Sequence, residues 1–150
     1  MTALPFADLL DRLDARDGAA PAVDPRALAD THLIEGEGVL EAWLDSRGQV
    51  PTDATHEGFR LLALHRQGAR GEPSFNACRE TCRELVYLRN VALACEGDTP
   101  ELRRTLRLQA MVLRHLALFV GGKMVESGLG DFCCSSRPVR QRDATPLQGD

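Results

Sequence analysis

The stretch from Phe75 to Cys95, FNACRETCRELVYLRNVALAC, constrains the fold more than any other part of the chain. At 100° per residue, Phe75, Cys78, Cys82, Leu85, Val86, Arg89 and Leu93 fall within about one third of a helix circumference, the width of a core-facing stripe. Arg79, Glu80, Arg83 and Glu84 lie off that face, while Tyr87, Leu88, Val91 and Ala92 make the second half apolar nearly all round. Such a segment needs cover on several sides. The spacing predicts a central helix over about 75–96 in an all-α domain.

No segment alternates β-branched and polar residues as a strand would, and Gly and Pro punctuate the chain every 20 to 30 residues. The expected fold is a single compact bundle of about five helices, at about 3–17, 24–46, 53–67, 75–96 and 100–127. Phe6, Leu9, Leu10 and Leu13 give the first an apolar side. Asp24-Pro25 marks the second start, because Asp caps free amides and Pro suits the first helical position. Gly36 and Gly38 weaken that helix by up to about 1 kcal/mol each and mark a close crossing or a kink. Thr52 or Asp53 caps the third, with GARGEP (68–73) as the following turn, and Ser74 or Asn76 caps the fourth. Thr99-Pro100-Glu101 opens the last, in which Gly121-Gly122 is a candidate break.

With 150 residues, 43% apolar and 27% charged, the chain can bury a core as one domain. Residues 1–137 are assigned to the bundle. Residues 138–150, with Arg140 and Arg142 among small and polar residues, are read as a flexible basic tail. The start has no cationic segment of a signal peptide, and no uninterrupted apolar run approaches the ~20 residues of a membrane span, so the expectation is a cytoplasmic protein without membrane contact. Five cysteines, an odd number in no scaffold spacing, fit reduced thiols. Residues 1–75 carry a net charge of −6 and residues 76–150 of +2, which suits either mutual neutralisation of two packed halves or a basic face for an acidic partner.

Two sets of residues stand out chemically. Cys78 and Cys82, one turn apart, are soft ligands on one helical face, and Cys133-Cys134 is an adjacent pair beyond the last helix. Together they define a candidate metal site for zinc, copper or an iron–sulfur cluster, or a redox pair. The competing reading makes Cys78 and Cys82 small core hydrophobes, and no cofactor is required. Cys95 lies too far round the helix to join them. The histidines do not assemble: His56 and His65 fall on opposite sides of one expected helix, and His32 and His115 stand apart.

The second set is arginine. Arg103, Arg104, Arg107 and Arg114 form a stripe on the last helix, and its first turns disfavour cations by ~0.3–1 kcal/mol each. Carboxylates of the first two helices, or an acidic partner, should compensate. Arg89 stands in the apolar stripe and needs a carboxylate, for which Asp30, Glu35, Glu37 or Glu57 qualifies; a buried pair is the expectation. These five arginines are the candidate anion- or partner-binding residues. No catalytic constellation, phosphate loop or dinucleotide fingerprint occurs, so the chain reads as a non-catalytic accessory or regulatory module acting on a protein partner or as a homo-oligomer. A thiol-based metal or redox protein is the alternative. Nucleic-acid binding through the arginine stripe ranks last, because the pI is near 5.6 and no aromatics interleave the arginines.

Overall fold

The computed structural model describes residues 5–17 and 24–129, and within them the chain is all-α, with five helices and no strand. They are α1 (Ala7–Asp17), α2 (Pro25–Ser46), α3 (Arg60–Gly71), α4 (Arg79–Ala94) and α5 (Pro100–Leu129), with a 3₁₀ turn, Pro73–Cys78, leading into α4. Residues 130–150, including Cys133, Cys134 and the expected basic tail, lie outside the described residues.

Two starts follow the capping logic of the sequence. The Asp24 carboxylate accepts from the Arg26 amide at 3.0 Å ahead of Pro25, and the Thr99 hydroxyl accepts from the Leu102 amide at 3.1 Å. Each such cap is worth about 1 kcal/mol. Between them the helices wrap one core: α5 packs on α2 and α4, α2 also meets α3 and α4, and α1 lies on α5. Leu40, Leu61, Leu64, Leu85, Leu113 and Leu116 are fully buried there, each contributing roughly 1.5–3 kcal/mol of transfer free energy. A smaller cluster, Ala29, Ala92, Leu102 and Leu106, closes the end nearest the α4–α5 turn.

Gly36 marks the expected close crossing, whereas Gly38 faces open space. A Cβ at Gly36 would stand 3.3 Å from a Leu61 methyl and 3.4 Å from one of Leu85, so its absence lets α2 approach α3 and α4 closely. α5 runs unbroken through Gly121-Gly122, correcting the expected break, and Gly121 gives room to Pro5 and Phe6, whose side chains stand 3.4 and 3.5 Å from where a Cβ would sit. By length and composition α5 is the one helix among the described residues that would suffice to cross a bilayer, and 44% of that stretch is buried inside the bundle.

Four boundaries differ from expectation: α1 starts at Ala7 and not near 3, with Pro5 and Phe6 in a turn and Phe6 at positive φ (64°), and the other three differ because tertiary contacts outweigh local preference. α3 starts at Arg60 and not near 53. Before it, His56 and Phe59 exchange backbone hydrogen bonds of 3.0 Å across Glu57 and Gly58, both at positive φ (55° and 87°), a tight turn that cannot be helical. The Gln67 side chain accepts from the Thr52 amide at 2.9 Å and donates to the Val50 carbonyl at 2.8 Å, tying the preceding extended stretch to α3. At its other end α3 continues through GARG to Gly71, since Gly68 gives room to the Phe75 ring, 3.0 Å from where a Cβ would sit. The central helix begins at Arg79, and Pro73–Cys78 is 3₁₀, with Cys78 at the N-cap in place of Ser74 or Asn76. Ser74 is engaged otherwise: it donates to Glu72 and accepts from the nearly buried Lys123 ammonium at 2.7 Å. Tyr87 is 61% exposed, so α4 is less enclosed than its composition suggests.

Candidate functional site

Two arginine pairs at i, i+4 meet across one hollow. Arg66 and Arg70 project from α3, Arg79 and Arg83 from the first two turns of α4, and with His56, His65, Asn76, Leu62 and Ala69 they line a recess of about 410 Å³. Like charges at this spacing destabilise a helix by about 0.2–0.5 kcal/mol per pair, a small cost that an anion in the recess would offset. One carboxylate borders it. Glu57, carried by the tight turn, accepts from Arg83 at 3.1 and 3.4 Å, and Arg83 holds its carboxyl below the usual carboxylate range. Arg66 donates to His56 Nδ1 at 2.8 Å; a guanidinium has no lone pair to offer, so that imidazole is the acceptor and turns Nε2 toward Glu57, 3.3 Å away. Arg70 and Arg79 have no ion pair among the described residues.

A thiol–imidazole cluster forms the floor. His65, 4% exposed, donates Nε2–H to the Phe75 carbonyl at 3.0 Å and stacks on the Phe75 ring at 5.6 Å. Cys78 and Cys82 are buried, free thiols beside it. The Cys78 thiol donates to the Phe75 carbonyl at 3.2 Å, and the neighbouring Cys82 and then His65 outweigh burial and pull it down to about 6. Cys82 is pushed up, first by the neighbouring Cys78 and then by burial. Burial acts to lower the His65 pKa, but the neighbouring Cys78 and the Phe75 carbonyl outweigh it and raise it. Among the described residues no three His, Cys, Asp or Glu side chains converge to hold a metal ion, so Cys78 and Cys82 find no third ligand there.

The arginines singled out from sequence do not share one site. Arg89 finds Asp30 at 2.8 Å, as expected, but at the surface and not buried: the Asp30 side chain is 52% exposed, and the guanidinium lies over the Phe59 ring at 5.6 Å. Arg103 is clamped by Asp98, at 2.8 and 2.5 Å, and Arg114 reaches Asp14 of α1 at 2.6 Å. Arg104 and Arg107 are exposed on α5 with no ion pair among the described residues. Of the histidines, His56 lies in a turn and His65 in α3, and both face the same recess, correcting their expected separation. The signal that would have found the recess is two like-charge i, i+4 pairs flanking one short connection, 72–78. No family model, curated protein or solved structure matches the chain.

Proposed function

We propose that the chain is a non-catalytic accessory module that captures an anionic group of a protein partner, a run of carboxylates or a phosphorylated side chain, in the Arg66–Arg70–Arg79–Arg83 recess. The observation that carries this reading is that four arginines line one recess whose lining residues include no carboxylate, Glu57 entering only as the partner of Arg83. Guanidiniums fork onto carboxylate and phosphate oxygens, and each such charge-assisted bond contributes ~1.5–3 kcal/mol. Titration with a glutamate-rich peptide and with inorganic phosphate tests it. Arg79→Ala should weaken binding by about ten- to a hundredfold, the affinity should fall steeply with added salt, and the melting temperature should hold or rise slightly as the Arg79–Arg83 repulsion is relieved. Equal affinity in parent and Arg79→Ala, or no binding of either probe at low salt, rejects the reading.

A second reading rests on the floor of the same recess. A thiolate at Cys78, beside the Cys82 thiol and the His65 ring, would act as a soft ligand or a redox centre. Thiolate ultraviolet absorbance should titrate with a midpoint of about 6 and vanish in Cys78→Ala. A protein whose thiols titrate only in the ordinary range near 8.5 would remove this reading.

A further inference from the structure

We propose that α5 pairs with α5 of a second copy of this chain in antiparallel fashion, through a seam of Leu108, Met111, His115 and Leu118. Leu108, Met111 and Leu118 are 45%, 65% and 53% exposed, on the longest helix of the fold. Single exposed apolar residues are ordinary. Here Arg104, Leu108, Met111, His115, Leu118 and Gly122 follow steps of four and three, the spacing that keeps one edge of a helix against a partner helix. The opposite side of α5, with Leu102, Leu106, Leu113, Leu116 and Val120, is already filled by its own bundle. The seam from Arg104 to Gly122 runs about 27 Å, five helical turns.

Charge decides the occupant and its direction. A parallel pair would set Arg104 against Arg104 and His115 against His115. Antiparallel pairing sets Leu108 opposite Leu118, Met111 opposite His115 and Arg104 opposite the small Gly122 of the second copy, which keeps the two Arg104 side chains at opposite ends of the seam. The basic first turns of one helix, Arg103, Arg104 and Arg107, then lie beside the negative end of the other, and the two dipoles oppose. Lys123 does not disturb this contact, since it is turned inward to Ser74. The seam is independent of the recess between α3 and α4, so either proposal can fail without the other.

Sedimentation of the full chain over rising concentration provides the test. The expected mass is twice 16.4 kDa at the upper end. Leu108→Glu or Leu118→Lys alone should weaken association by about tenfold or more, which is ~1.4 kcal/mol. The double variant should recover the dimer, because only antiparallel helices set the new carboxylate of each copy against the new ammonium of the other, once at either end of the seam. Should either single variant unfold, Met111→Lys, at the most exposed position of the seam, replaces it. A parent that stays at 16.4 kDa throughout, including one that binds lipid vesicles instead, overturns the proposal. So do a dimer indifferent to the single substitutions and a double variant that remains monomeric.

Discussion

Replacing Phe75 with alanine is expected to destabilise the fold by about 3–5 kcal/mol, the range for emptying a buried aromatic site. The ring is fully buried and is held from three helices: Trp43 of α2 stacks on it at 5.2 Å, His65 of α3 stacks at 5.6 Å, and Phe119 of α5 tilts against it at 6.3 Å. Gly68 closes the remaining side, with a hypothetical Cβ only 3.0 Å from two ring carbons. So rigid a surround cannot collapse into the vacancy, which places the loss at the upper part of the range. Urea unfolding would register it as a fall in midpoint of roughly 2 M at an unchanged slope of ~2 kcal/mol per M. A loss under about 1 kcal/mol would mean that the site refills and that Phe75 does not anchor the turn. The substitution should also reach the recess. The Phe75 carbonyl accepts from His65, and Phe75 lies within the 3₁₀ turn that delivers Cys78 to the head of α4.

This residue also shows where the sequence was readable and where it was not. Phe75 belongs to the apolar stripe that identified the central helix, and the burial of Cys78, Cys82, Leu85 and Val86 follows that stripe. What local pattern could not supply is the 3₁₀ geometry of 73–78, which is set by packing of Phe75 between Trp43 and His65 rather than by propensity. The starts of α2 and α5 were legible because Asp24-Pro25 and Thr99-Pro100 act through bonds within a few residues. The start of α3 was not, because positive φ at Glu57 and the reach of Gln67 to Thr52 decide it. Arginine followed the same division. The spacing of Arg66 with Arg70 and of Arg79 with Arg83 is visible in the letters, but their convergence depends on how α3 and α4 pack. Conversely, the Arg103–Arg114 stripe is regular in sequence, yet Asp98 and Asp14 engage its two ends.

Gln109→Leu is expected to cost about 1–3 kcal/mol although it adds apolar surface to the core. Gln109 is fully buried in α5; its carbonyl oxygen accepts from His32 Nδ1 at 2.7 Å, and its amide donates to the carbonyls of Ala29 at 3.1 Å and Leu85 at 3.3 Å, joining α2, α4 and α5. Since the Gln109 oxygen only accepts, the His32 proton resides on Nδ1, leaving Nε2 a buried lone pair without a partner. Leucine would strand the N–H as well. His32→Leu should cost a similar amount by stranding the Gln109 oxygen, whereas the double variant should lose far less than the sum, because no unpaired polar atom of this pair remains. Burial holds the His32 pKa below its usual value against the opposing pull of Gln109. His32 is therefore neutral when folded and takes up a proton on unfolding below about pH 6.5, so its share of stability is full above that pH and declines below it by up to ~1.4 kcal/mol per unit. His65 has the opposite sign: its raised pKa stabilises most below 6.5, and the gain is lost as pH rises through its folded value. Because His65 is common to both proteins, the difference in acid sensitivity between the parent and His32→Leu/Gln109→Leu isolates His32. Denaturant midpoints measured down through this range should converge as the pH falls. Midpoints that keep a constant separation would show that His32 is protonated in the fold, and that the bond to Gln109 is charge-assisted rather than neutral.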